Sequence, residues 1–242
     1  MPKGGTLLRA FGYNEEGGNV MRVCFVSGQT LKDFSLISQM QGAELYLFGF
    51  RAFGEVSYER ELKGETEYFE NAAKLSKEQQ ATVVVGCLTD AKGIKRKSAV
   101  VAEKGRILGV SDMVNVIDEE VNCGAEIRLF DTAIGRMGVL VADDLLFYET
   151  VQALCLCGCD FIVCPYEETI DSTQSLMARA YAFACGVPIF FCGVGHAFLA
   201  NPQGELEFSC PLSPFVCEYV IRKEYRLIST RKKGYRKQVL QL

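Results

Sequence analysis

The stretch MGVLVADDLLFYE, residues 137–149, has the pattern of a buried strand, a sharp exit and the start of a helix. In many hydrolases a strand-to-helix turn of this kind carries the catalytic nucleophile. The residue that leaves the strand here is Ala142, whose methyl group can neither attack carbon nor transfer a proton. The next two residues, Asp143 and Asp144, are paired carboxylates of the kind that can perform acid–base catalysis.

The two carboxylates also have a structural interpretation. Asp144 is placed to cap the helix predicted to begin near Leu146, which would account for it without any catalytic role. For the pair as a whole the structural interpretation is favoured over acid–base catalysis. Asp143 is the less expected of the two, and contact of its charge with a polar ligand or a bound water is the alternative interpretation.

Three further candidates for the same site lie at the end of the next predicted strand, 161–164, or just after it. Cys164 stands at the strand end beside Pro165, where it is either a displaced nucleophile or, as is more common for such a cysteine, part of the core. Tyr166 and Glu167 follow on a predicted loop and are candidates for ligand contact by position. The single histidine, His196, lies far along the chain and is expected to be a partnered loop residue.

The eleven cysteines are predicted to be reduced and buried rather than paired in disulfides. Their number is odd, most lie inside apolar runs, and no secretion signal precedes them. Cys155, Cys157 and Cys159 are spaced C-x-C-x-C, unlike the paired C-x-x-C of zinc sites, so core packing is favoured over metal binding. We therefore expect neither a metal nor another cofactor.

Composition narrows the class of protein. Of the 242 residues 49% are hydrophobic, yet no apolar run reaches the roughly 18 residues needed to span a bilayer. Without a signal-peptide pattern, we expect a cytoplasmic protein that does not bind membranes. The net charge of −4 gives no strong attraction to nucleic acid.

One segment departs from this balance. Residues 222–237 contain eight lysine or arginine residues and one glutamate. Such a run is either a phosphate-binding arm or a solvated or partner-facing tail. The second interpretation is favoured, because a single basic run is thin support for nucleic-acid binding.

Short apolar strands alternate with helical patterns along one domain, residues 1–242, which includes a possible extra hairpin within 1–20 and the basic tail, 222–242. Strands this apolar must be covered on both faces. Two sheets packed face to face with helices outside, a four-layer α-β-β-α sandwich of the α/β class, would satisfy this. The predicted strands are 21–26, 44–48, 82–88, 98–102, 107–110, 128–131, 137–141, 161–164, 188–192, 197–200, 205–210 and 216–221, and the predicted helices are 32–41, 65–77, 146–157 and 175–184.

The chain resembles the nitrilase superfamily of carbon–nitrogen hydrolases from about Arg22 to its end. KSAVVAEKGRILGV (97–110) is similar to the family's hairpin, which begins N-S-A, and GRMGVLVADDLLFYE (135–149) is similar to its nucleophile segment, G-R-x-G-x-x-I-C-Y-D. Three later segments are similar to the family's A-x-x-G-A-D-x-x-x-x-P, R-A-x-E-N and d-P-x-G-e patterns: ALCLCGCDFIVCP, ARAYAFACGVP and NPQGEL. The order and spacing of these matches imply the α-β-β-α sandwich.

The resemblance also implies hydrolysis of C–N bonds through a cysteine, but this chain lacks the residues that this reaction needs. The family uses a cysteine that forms a thioester, a glutamate that moves its proton and activates water, and a lysine that stabilises the oxyanion. Alignment places the cysteine on Ala142, the glutamate on Phe50 and the lysine on Met113. A further pocket glutamate of many members would fall near Thr89. Phe50, Met113 and Ala142 would instead form an apolar plug or pocket floor.

These observations predict a carbon–nitrogen hydrolase family protein that is catalytically inactive and binds a small-molecule ligand or a partner. The alternative is an amide or nitrile hydrolase with a rebuilt, non-standard active site that uses Asp143, Glu167 or a nearby cysteine. Because family members associate through strands and C-terminal tails, the resemblance implies a homodimer or higher homo-oligomer.

Overall fold

Two β-sheets form the centre of the computed structural model, which describes residues 19–28, 42–117, 120–168, 171–211 and 213–221. The first sheet contains β1 (Asn19–Val26), β2 (Leu45–Phe48), β3 (Glu55–Ser57), β4 (Thr82–Ala91), β5 (Ile94–Glu103), β6 (Arg106–Asp112) and β13 (Phe215–Ile221). The second sheet contains β7 (Arg128–Thr132), β8 (Gly135–Val139), β9 (Phe161–Pro165), β10 (Ile189–Cys192), β11 (Ala197–Ala200) and β12 (Leu206–Cys210).

The last two strands of the described chain, β12 and β13, are each an edge strand of one sheet. The first sheet runs β13-β1-β2-β4-β5-β6, with β3 paired to β4, and the second runs β12-β11-β10-β9-β8-β7. β13 returns to pair antiparallel with β1, so that Asn19 lies opposite Ile221. The β5–β6 hairpin turns through Lys104 and Gly105, both at positive φ, within the segment 97–110 that is similar to the family's hairpin.

In the described part of the chain four α-helices cover the sheets: α1 (Tyr58–Leu62), α2 (Tyr68–Gln79), α3 (Tyr148–Leu156) and α4 (Ser172–Cys185). Alternate residues of β4 and β5 separate two cores, as the period of two along a strand requires. Val84 and Val101 point into the core shared with the second sheet. Val83 and Val100 point into the core beneath α2. With α3 and α4 on the far side of the second sheet, the four-layer sandwich predicted from the sequence is confirmed.

The predicted strands and helices agree with the structure except for two short elements and the end of one strand. All twelve predicted strands are present, whereas β3 and α1, each of five residues or fewer, were not predicted. The strand predicted for 137–141 ends at Val139, and the chain then enters a 3-10 helix, Ala142–Leu146, before α3 begins at Tyr148. The helix predicted at 32–41, nearly all of the hairpin predicted within 1–20 and the tail at 222–242 lie outside the described residues.

All eleven cysteines are free thiols, as predicted, and eight of them are buried. The prediction of burial is wrong for Cys123 and Cys157, which are exposed, and for Cys217, which is half-buried. Cys157 lies just after α3, at its C-cap, and so does not pack in the core with Cys155 and Cys159. His196 is partnered, with its Nε2 2.8 Å from the Ser209 hydroxyl oxygen. Within the described ranges no helix is long and apolar enough to cross a membrane.

The sheets approach each other closely at Gly86, on the inward face of β4. A Cβ atom at Gly86 would lie 2.4 Å from Cδ2 of Phe50 and 3.0 Å from Cβ of Pro165, which belongs to the second sheet. The Phe50 ring, 6% exposed, therefore occupies the space that any side chain at Gly86 would need. Phe50 thus fills the space between the two sheets at this point.

We expect Gly86→Ala to lower the free energy of unfolding by about 1–3 kcal/mol, because overpacking forces the Phe50 ring out of place. In a Phe50→Ala background the same change should cost much less, since the ring it collides with is gone. Urea denaturation of the four proteins of this double-mutant cycle measures both effects. Equal costs of Gly86→Ala in the two backgrounds would contradict the packing of the Phe50 ring against Gly86.

Candidate functional site

The turn after β8 has a strained backbone at its tip. Ala142 is fully buried and has φ +48°, a left-handed conformation that residues with a Cβ seldom adopt. Strain of this kind collects at functional sites, and a sharp strand-to-helix turn is how hydrolases expose a nucleophile. Here the turn carries only a methyl group.

A buried lysine lies beside this turn. Lys97 is on β5, two residues before inward-facing Ala99, and its side chain is 7% exposed. Its Nζ lies 3.6 Å from Oδ2 of Asp143 and contacts Oε1 of Glu167. A buried ammonium needs such partners, because its desolvation would otherwise be very costly. Lys97 thus connects β5 of the first sheet to the segments that follow β8 and β9 of the second.

A chain of hydrogen bonds extends this cluster to α4. The Tyr166 hydroxyl donates to Oδ1 of Asp143 at 2.9 Å, and Nε2 of Gln174 donates to the Tyr166 hydroxyl at 3.2 Å. Oε1 of Gln174 accepts from the backbone N–H of Asp171, whose side chain accepts from Thr173 in a capping box. The N-terminal turn of α4 therefore fixes Gln174, which orients Tyr166 and, through it, Asp143.

Burial sets the protonation of the surrounding groups. It raises the pKa of Glu167 above its ordinary value, although the neighbouring Lys97 opposes the shift. Burial also raises the pKa of the Tyr166 hydroxyl, so this group remains a proton donor to Asp143 near neutral pH. The pKa of the Cys164 thiol lies well above its usual value, because the thiol is buried and Asp144 and Asp143 are nearby.

Asp144 does not cap the helix as the sequence suggested. Residue Phe147 occupies the N-cap of α3, and no side chain caps that helix. Oδ1 of Asp144 instead accepts from the backbone N–H groups of Val114 and Asn115 at 3.1 and 2.9 Å, and also from Nδ2 of Asn115. The carboxylate ties the loop after β6 to the turn after β8, a long-range contact that local sequence does not encode.

The structure brings together three of the five predicted pocket residues, Asp143, Tyr166 and Glu167. Cys164 lies close by, with its Sγ 3.9 Å from the carbonyl oxygen of Ala142. Thr89 lies elsewhere: its hydroxyl contacts that of Ser98 at 2.8 Å, and Ser98 faces the α2 side of the sheet, away from Lys97.

The three positions aligned with the family's catalytic residues are all buried in the core shared with the second sheet. Phe50, Met113 and Ala142 are 6%, 0% and 0% exposed. Their side chains offer no acid, base or nucleophile.

Lys97 and Gln174 were not predicted as site residues. Lys97 had a signal in the sequence, because in KSAVVAE it shares the inward face with Ala99 and Val101, where a charge is unexpected. It is also the position at which the family's hairpin has the asparagine of N-S-A. Gln174 had a weaker signal, as the fourth residue of the D-x-x-Q capping pattern at 171–174.

Comparisons with known proteins agree on one family. Residues 39–214 match the family model described as carbon-nitrogen hydrolase. A probable nitrilase of Schizosaccharomyces pombe is 22% identical over 184 residues, which cover 67% of each protein. A mutant of the Nesterenkonia AN1 amidase, from the nitrilase superfamily, superposes with a TM-score of 0.70 at 17% identity, covering 90% of this chain and 97% of that one.

Two further solved structures have the same fold. Saccharomyces cerevisiae Nit3, a member of the nitrilase superfamily, has a TM-score of 0.66 at 15% identity, covering 88% of this chain and 94% of that one. Another mutant of the Nesterenkonia amidase carries the acetamide moiety of fluoroacetamide at its active-site cysteine, with a TM-score of 0.68, 16% identity, and coverage of 90% and 96%.

We expect Lys97→Met to lower the free energy of unfolding by about 3 kcal/mol, because Asp143 and Glu167 would face each other without a counter-ion. The matched control is Lys95→Met on the same strand, where an exposed lysine pairs with Glu55 at 3.1 Å. That change should cost about 0.5 kcal/mol. Chemical denaturation at pH 7 measures both, and equal losses would contradict a buried ion-pair cluster.

The raised pKa of Glu167 predicts a pH dependence of stability. Between its ordinary pKa of 4.5 and the higher folded value, the folded state binds more protons than the unfolded state. Stability therefore falls as pH rises through this window. Glu167→Gln should remove that fall, so that the variant gains stability relative to wild type as pH increases above 4.5.

Denaturation of both proteins at several pH values measures this difference, with Glu168→Gln, an exposed neighbour, controlling for net charge. A constant difference between wild type and Glu167→Gln across the pH range would contradict the assignment.

Proposed function

The chain belongs to the carbon-nitrogen hydrolase family, and on that premise we propose that it binds a ligand at its centre without hydrolysing C–N bonds through a cysteine. The observation that carries the proposal is the occupant of the strained turn. Ala142 keeps the left-handed backbone of a nucleophile turn, but its methyl group cannot form a thioester.

The nearby thiol does not replace the missing nucleophile. Only a thiolate attacks carbon efficiently, and burial together with two carboxylates keeps Cys164 protonated. Its Sγ lies against the carbonyl oxygen of Ala142, within the core shared with the second sheet. Cys164 therefore packs as a core residue in this proposal.

The charges of the site indicate which ligands it would accept. The side chain of Lys97 is 7% exposed, whereas those of Asp143 and Glu167 are 17% and 28% exposed. An approaching molecule would therefore meet two carboxylates before it meets the ammonium. The cluster has one more negative than positive charge, which favours a ligand with a cationic or strongly N–H-donating group.

A second candidate function rests on the contact between Lys97 and Glu167. A carboxylate beside an ammonium can act as a general base and an electrostatic stabiliser, so that water rather than cysteine would be the nucleophile. This candidate is an amide hydrolase with a rebuilt centre. A homo-oligomeric assembly and a cytoplasmic location stay predictions for either candidate.

Three four-carbon probes that differ in charge separate the candidates: neutral butyramide, cationic n-butylammonium and anionic butyrate. We expect no ammonia release from butyramide beyond the rate in buffer, because the turn has no nucleophile. We expect n-butylammonium to bind more tightly than butyramide, and butyrate to show no binding, because the carboxylates face outward. Calorimetry or ligand-observed NMR measures binding, and a coupled ammonia assay measures turnover.

Variants assign each signal to the site. Glu167→Gln should weaken binding of n-butylammonium by about tenfold, the loss of one charge-assisted contact, whereas Glu168→Gln should leave it unchanged. Ammonia release by wild type that is lost in Lys97→Met and in Glu167→Gln would overturn the binding proposal in favour of the rebuilt hydrolase. Equal binding of all three probes would contradict the charge argument.

A further inference from the structure

A cavity of about 550 Å³ lies between β12 and β13, far from the Lys97 cluster. These are the terminal strands of the two sheets, so within the described ranges each has one edge that pairs with no other strand. We call this cavity the edge seam. Its lining residues are Leu199, Glu207, Phe208, Ser209, Cys210, Phe215, Cys217 and Glu218.

The edge seam combines an apolar floor with an acidic rim. The rings of Phe208 and Phe215 stack with centroids 4.7 Å apart and planes 8° apart, and Phe25 packs against Phe208. Glu207 and Glu218, the two carboxylates of the lining, are exposed, whereas both rings are half-buried. An open strand edge above an apolar floor accepts an extended peptide, whose backbone completes the hydrogen bonds while alternate side chains fill the floor.

The rim carboxylates keep capacity for a further cation. Glu218 pairs with Arg22 at 3.7 Å, but both side chains are exposed, so this pair is weak. Among the described residues, Glu207 accepts one hydrogen bond, from Nδ2 of Asn201 at 3.1 Å. Each carboxylate has about four acceptor positions, which leaves room for a lysine or arginine.

The distribution of charge along the chain matches this rim. The whole chain has 26 basic and 30 acidic residues, of which residues 222–242 hold eight and one. The remaining 221 residues therefore hold 18 and 29, a net charge of −11, against +7 for the C-terminal segment. That segment also carries apolar residues between its basic ones, including Leu227 and Ile228.

Connectivity places the segment next to the seam. β13 lines the seam and ends at Ile221, so the segment 222–242 begins at the end of a strand that lines the seam. Twenty-one residues extend to about 70 Å, whereas the seven residues of β13 span about 23 Å. The segment can therefore reverse and lie along the seam, and attachment to β13 gives it a high effective concentration there.

We propose that residues 222–242 bind in the edge seam of their own chain, with basic side chains at Glu207 and Glu218 and apolar side chains on Phe208 and Phe215. This is an interaction surface separate from the ligand site, and it is independent of the proposed function. The occupant is an extended basic peptide, which the chain itself supplies.

Zero-length carbodiimide cross-linking of the full-length protein tests the proposal. We use an equal mixture of ¹⁴N- and ¹⁵N-labelled protein and locate the cross-links by mass spectrometry. The expected result is amide bonds from Glu207 or Glu218 to lysines of 222–242, with both peptides carrying the same isotope. Mixed-isotope cross-links would overturn the proposal in favour of a second copy's segment, and no cross-link from either glutamate would overturn it altogether.

Tryptic cleavage of the segment is a second measurement. Weakening two surface ion pairs should raise the cleavage rate within 222–237 about tenfold in the Glu207→Gln/Glu218→Gln variant, because cleavage follows the population of the released segment. The control, Glu67→Gln/Glu70→Gln, makes the same change in net charge at two exposed residues that pair with Lys74, one at the N-cap and one in the first turn of α2. Equal rates in the two double variants would overturn the proposal.

Discussion

The buried ammonium of Lys97 is the constraint on which the centre of this molecule depends. A charge with 7% of its side chain exposed is tolerated only with counter-charges in contact, and here these come from Asp143 and Glu167. The three residues belong to different segments, one on the first sheet and two after strands of the second. Satisfying one charge therefore fixes the relative position of two sheets and two connecting segments.

The rest of the site follows from this arrangement. Asp143 can meet Lys97 only because the chain turns sharply at Ala142, and Tyr166 holds the other oxygen of Asp143. Asp144, the next residue, points the opposite way and binds the backbone after β6. Adjacent carboxylates thus serve different tasks, one at the polar cluster and one in anchoring a loop. The turn keeps the shape associated with hydrolases while its surroundings have become a network of paired charges.

Much of the fold was predictable from the sequence, because apolar alternation and Gly-containing turns are local signals. The twelve predicted strands, the hairpin within 97–110 and the eight buried thiols all depend on such signals. The site was only partly predictable. Asp143, Tyr166 and Glu167 were identified by their position after strands, which places them at one edge of a sheet. Lys97 could not be assigned to the site from local sequence, because its partners lie far along the chain. Thr89 lies on the face of β4 that points towards α2, and its place in the alignment does not specify that face. The role of Asp144 depends on a loop that no local pattern connects to it.

The pairing of β1 with β13 has a topological consequence. Asn19 lies opposite Ile221, so the first and last described residues are strand neighbours, about 5 Å apart at their Cα atoms. The described fold is therefore nearly circular: a short bridge between these two residues, with a cut opened in the exposed β5–β6 turn, would reorder the sequence while preserving every strand pair. The chain thus enters β1 and leaves β13 at the same corner of the first sheet. Domains fused at the two ends of this core would consequently meet each other rather than lie on opposite sides of the sandwich.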